Sequence, residues 1–165
     1  MPINAILSAL EGLVQLHESL LQLSIKKTEQ LKKGKIDELQ DILTSEQKHI
    51  QAIDKLEAQR LKAVDEWAEQ VQLGESDEKN VTFILAHLSD QTERHELEKL
   101  STQLAETLVE LKAQEGLNQE LTQQSLQFVQ MNLAMLSPTI EQMNYGNKSN
   151  QNDPVSKRSV FDSKA

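Results

Sequence analysis

The sequence predicts an all-α fold: an elongated antiparallel three-helix bundle or coiled coil, with an overhanging C-terminal helix and a flexible tail. Three observations carry this expectation. Apolar residues recur at spacings of three and four, which is the helical period and not the strand period. Aromatic residues make up only 3%, too few for the usual β-sandwich, base-stacking platform or sugar cleft. Five Gly and three Pro leave few turns in 165 residues, a length that suits one domain.

The first helix is expected over about residues 3–33. Pro2 suits a first helical turn, and the stripe runs Ile3, Ile6, Leu10, Leu13, His17, Leu21, Ser24, Thr28, Leu31. Gly34 ends it, because glycine takes the left-handed conformation that closes a helix. Lys32, Lys33 and Lys35 surround that end, where the helix dipole favours cations.

The second helix spans about 36–72. Asp37, Glu38 and Asp41 load its first turns with the negative charge a helix start prefers. Its stripe is Ile36, Leu39, Leu43, Glu46, Ile50, Ile53, Glu57, Arg60, Val64, Trp67, Val71. Glu46, Glu57 and Arg60 interrupt this seam and read two ways. Polar seam residues fix register at a cost in stability; alternatively the stripe rotates, since periods of 3.5 and 3.6 drift apart, and these residues face water. Gly74-Glu75-Ser76-Asp77 reads as a loop.

The third segment covers about 78–136 with a break near 89. Val81, Ile84, Leu85 and Leu88 form a short apolar stretch, and Ser89-Asp90 followed by Glu93 resembles a capping box that restarts the helix. A long run follows: Leu97, Leu100, Leu104, Leu108, Leu111, Glu115, Asn118, Leu121, Ser125, Phe128, Asn132, Met135. Pro138 is expected to halt it, because the residue before a proline avoids the helical region. The bundle is thus residues 1–136. Residues 137–165, rich in Asn, Ser, Lys and Asp, read as a mobile tail.

Helix lengths carry a functional implication. At about 1.5 Å per residue the segments measure roughly 45, 55 and 70 Å, and short connections make neighbours antiparallel. Laid side by side, the third passes the Gly34 turn at about residue 120 and overhangs from Leu121 to Leu136. Residues 121–140 also carry no charge, in a chain that is 26% charged. Leu126, Phe128, Val129, Met131, Leu133, Met135 and Leu136 spread over most of that helix, and a helix apolar on nearly every side expects burial on nearly every side. Its glutamines and Asn132 are too polar for hydrocarbon, so it does not insert in a membrane. The expected cover is another chain, either a second copy or a client; the alternative is that the second segment or the tail folds over it.

Other chemistries are disfavoured. A net charge of −9 argues against a general nucleic-acid binder. Zero Cys removes disulfides, thiolate metal sites and Cys nucleophiles. Glu46 and His49 form one Glu-x-x-His, the spacing of di-iron bundles, but those need two such motifs. His17 reads as a seam histidine, and His87 and His95 lack a completing set. No nucleophile elbow or phosphate-cradling loop is present. The expectation is a non-enzymatic protein with no cofactor and no metal. Without an export signal or a spanning segment, the cytoplasm is the expected compartment.

The stretch Leu31-Lys-Lys-Gly34-Lys-Ile36-Asp37-Glu-Leu39 after a Leu-rich helix leads into Glu46, Ile50, Ile53, Leu56, Glu57 and Arg60. With Asn118-x-x-Leu121-x-x-x-Ser125-Leu126 and the ending Ser159-Val-Phe161-Asp162, it resembles the FlgN family of flagellar export chaperones. The resemblance implies a cytoplasmic chaperone that binds the hook–filament junction proteins FlgK and FlgL, keeps them soluble and delivers them to the type III export apparatus. It places client binding on the C-terminal helical region, here Asn118, Leu121, Ser125, Phe128, Val129, Met131, Asn132, Met135 and Leu136. It further matches Tyr145, the one tyrosine, to a residue that docks at the export gate. The rival reading is a self-associating coiled-coil scaffold or adaptor.

Overall fold

The computed structural model describes residues 2–73 and 79–146, with side chains over 3–73 and 79–136. Among the described residues there are four helices and no strand: α1 (Pro2–Lys33), α2 (Ile36–Gln70), α3 (Val81–His87) and α4 (Gln91–Gly146). The chain divides into two units, Met1–Gln123 and Gln124–Ala165, and the division falls within α4.

The local chemistry accounts for each helix end. Gly34, at φ +67°, closes α1: its own N–H donates to the Leu31 carbonyl at 3.4 Å, and the Lys35 N–H donates to Gln30 at 3.2 Å. That paired bond satisfies carbonyls a helix end would otherwise leave open. Asn80 caps α3, its side-chain oxygen accepting the Phe83 N–H at 2.8 Å. Asp90 caps α4 by accepting the N–H groups of Thr92 at 2.7 Å and Glu93 at 3.1 Å. Those two N–H bonds hold the Asp90 carboxyl below its ordinary pKa. Leu88–Asp90 separates α3 from α4, at the break expected near 89.

In the first unit, side-chain bonds fix the helix directions. Ser19 meets His49 and Lys27 meets Glu46, so α1 and α2 run antiparallel. Ser24 meets Glu115 and Thr28 meets Asn118, so α4 runs parallel to α1. The apolar core gathers Ile3, Ile6, Leu10, Leu13 and Val14 of α1 with Val64 and Trp67 of α2, Ile84 of α3, and Leu97 and Leu100 of α4. It lies where α1 begins, α2 ends and α4 begins.

Two sequence expectations change. Pro138 does not end α4, which continues to Gly146. A proline here forfeits one bond, to the Ala134 carbonyl four residues back, at a cost of about 3 kcal/mol. Ala134 is exposed, so water can take that carbonyl and no buried acceptor is orphaned. The boundary expected between 136 and 137 therefore does not mark a helix end, and the division into units comes at 123/124. The loop expected at 74–77 and the tail beyond 146 lie outside the described residues.

Leu97 is 0% exposed at the centre of the core. Leu97→Ala is expected to cost about 2–5 kcal/mol, as lost transfer energy plus a cavity. Urea unfolding followed by the fluorescence of buried Trp67 measures it.

Candidate functional site

Beyond the apolar core the interior of the first unit turns polar. Asn118 is 2% exposed. Its amide nitrogen donates to the Ser24 carbonyl at 2.9 Å and to Ser24 Oγ at 3.1 Å. Its amide oxygen accepts from the Thr28 hydroxyl at 2.5 Å. Thr28 Oγ1 in turn accepts from the side-chain amide of Gln114. Ser24 Oγ donates to Glu115 Oε1 at 2.6 Å. Each of these buried groups has a partner, which removes the penalty of an orphaned donor or acceptor.

Lys27 extends this seam to α2. Its ammonium lies 2.9 Å from Glu46 Oε1 and 3.0 Å from Glu115 Oε2, joining three helices. Burial pulls the Lys27 pKa down, but hydrogen bonds and charge from Glu46 and Glu115 outweigh it and hold the ammonium above its ordinary value. Of the two readings of the α2 seam, Glu46 takes the register role: it is buried and reaches across to α1. Glu57 and Arg60 instead pair with each other three residues apart. The Arg60 guanidinium holds the Glu57 carboxyl below its ordinary pKa, against the upward push of burial.

The residues expected to bind a client separate into two groups. Asn118 is interior and committed to α1, so it presents no surface. Leu121 is half-buried. Ser125, Phe128, Val129, Met131, Asn132, Met135 and Leu136 are all exposed, Phe128 by 66% and Met135 by 69%. Leu126 and Leu133 join them. At about 100° per residue, the arc from Met131 through Phe128, Leu136 and Val129 to Leu126 sweeps about 220°. That is about twice the stripe with which an ordinary surface helix meets its core. Leu, Gln, Met and Ala are strong helix formers, so the segment stays helical without burial. Tyr145 falls in the last turn of α4, and its side chain lies outside the described residues.

The histidines are absorbed locally. His49 Nδ1 donates to the Ser45 carbonyl at 2.7 Å, leaving Nε2 to accept from Ser19 at 2.8 Å, so Glu46 and His49 do not converge. His17 Nδ1 donates to the Leu13 carbonyl at 2.7 Å. Among the described residues, no three His, Asp or Glu side chains are placed to share a metal ion. Among them, too, no helix is long and apolar enough to cross a membrane.

Comparison with known proteins agrees with the sequence resemblance. The family described as FlgN protein matches residues 1–153. A Bacillus subtilis (strain 168) protein described as uncharacterized protein YvyG is 40% identical over 166 aligned residues that span all of both chains. No solved structure matches.

Two predictions separate seam from surface. Asn118→Ala removes the buried amide bonded to the Ser24 carbonyl and the Thr28 hydroxyl and costs about 1–3 kcal/mol, whereas Phe128→Ala stays within about 0.5 kcal/mol; urea midpoints measure both. The folded state also holds the Lys27 proton more tightly than the unfolded chain does. That contribution is complete below the ordinary lysine value of 10.5 and is lost as pH climbs through the raised one. Urea midpoints across the alkaline range are expected to fall beyond 10.5, and less steeply in Lys27→Met.

Proposed function

The chain belongs to the FlgN family of flagellar export chaperones, and from that premise we propose that it holds the hook–filament junction proteins FlgK and FlgL in the cytoplasm and hands them to the export apparatus. The exposed, charge-free apolar surface of residues 124–136 carries this reading. A soluble protein rarely leaves so contiguous a patch without a partner.

The mechanism is binding without chemistry. An amphipathic client helix packs on Phe128, Val129, Met131, Met135 and Leu136 in a helix-on-helix mode. Each apolar side chain that becomes fully buried contributes about 1.5–3 kcal/mol. Met131 and Met135 are unbranched and adapt to more than one client surface. The same contact hides the client's apolar face, which keeps it from aggregating. Binding requires neither nucleotide nor metal, and release falls to the export apparatus. Tyr145, in the final turn of α4, is the proposed contact with that apparatus.

Phe128→Glu places a charge in the middle of this surface. It is expected to weaken FlgK and FlgL binding by about 2 kcal/mol or more, measured by calorimetry, while circular dichroism stays helical. Unchanged affinity for both clients would refute this role for the segment.

A further inference from the structure

The first unit holds an open groove. It runs between α2 and α4 with α1 as its floor, in two sections, the second bordered also by Val81 of α3. One section, about 800 Å³, is lined by Leu31, Leu39, Leu43 and Gly116 together with the Lys27–Glu115 pair. The other, about 510 Å³, is lined by Leu13, Ile53, Leu104 and Leu108 together with the Glu57–Arg60 pair. The α2 wall carries Leu39, Leu43 and Ile53, of which Leu43 is about half exposed. An apolar wall left open beside a helix pair is one that a further helix can cover. With α1, α2 and α4 in place, one further helix completes a four-helix bundle.

We propose that this groove receives residues 124–146 of a second copy of the chain, and that the copies exchange these helices reciprocally. Three observations select that occupant. The α4 wall spans 101–123 and the second unit's helical part spans 124–146, so each is about 34 Å long. Of the five Lys, Arg and Glu side chains that line the groove, Lys27–Glu115 and Glu57–Arg60 are paired within the chain and Lys112 remains, so most of the lining suits an uncharged helix. Residues 124–146 hold a single charge, Glu141, in a chain of net charge −9. A basic partner would reward acidic residues there, whereas their scarcity lets another acidic copy approach with little like-charge repulsion. The exchange buries the client-binding surface, so client and second copy compete for it. That competition rests on the proposed chaperone function; the exchange itself does not.

Gly116 provides a clean test, because a Cβ built there meets nothing within 4 Å. Gly116→Leu projects a side chain into the groove from a position where its Cβ is unobstructed, and favours the helix. Sedimentation velocity of the full chain from about 1 to about 100 µM is expected to show a dimer, and Gly116→Leu and Phe128→Glu each to dissociate at least about tenfold more readily. Mixed, the two variants retain one intact groove and one intact helix, and are expected to form a 1:1 heterodimer. A wild-type chain that stays monomeric throughout, or a Gly116→Leu chain that dimerises like wild type, overturns the proposal. Client binding distinguishes the two readings: below the concentration at which the wild-type chain self-associates, Gly116→Leu binds FlgK and FlgL as wild type does if the chaperone reading holds, and loss of client binding there counts against that reading and not against the exchange.

Discussion

Asn118 can be satisfied at only one place along α1. Its amide needs the Ser24 carbonyl and the Thr28 hydroxyl together, and Ser24 and Lys27 also meet Glu115 one turn earlier on α4. Sliding α4 by a turn would strand several of these groups, each at about 1–3 kcal/mol. The leucines of the same helices interdigitate at many registers with little preference. Polar contacts worth little net energy therefore decide the alignment, and apolar contacts supply the stability. Glu46 applies the same constraint to α2 through Lys27.

That division of labour explains the unequal chemistry of α4. From Leu97 to Leu121 its inward positions alternate between leucines and polar groups that answer α1. From residue 122 to 136 every position is exposed, and charges are absent. A helix whose own propensity maintains it can present an apolar surface without collapsing. The absence of charge matters as much as the apolar content, since acidic residues there would limit the segment to basic partners.

The helices were legible because their periodicity is strong and their ends carry recognisable chemistry: lysines around Gly34, Asp90 ahead of Glu93. Pro138 was misleading, since a proline in an exposed helix loses one bond and strands nothing buried. The proposed client surface was legible only as an exposed, uncharged stretch, Phe128 through Leu136. Asn118 did not reveal its role, because a polar residue on a helical stripe reads the same whether it faces a client or a serine across the bundle. Only the positions of Ser24 and Thr28 decide. Gln114 lay off the stripe and gave no signal. The groove gave no signal of its own, because Leu39, Leu43 and Ile53 on its α2 side read as an ordinary apolar stripe.

The central claim is that the chain keeps one surface for itself and one for a client. Hydrogen–deuterium exchange resolved by peptide tests this most directly, on the client-free chain below the concentration at which it self-associates and after saturation with FlgK or FlgL. The account predicts that amides of residues 124–136 gain strong protection on client binding, while those around Ser24 and Thr28 are slow in both states. Protection that appears on another surface and leaves 124–136 unchanged would contradict it.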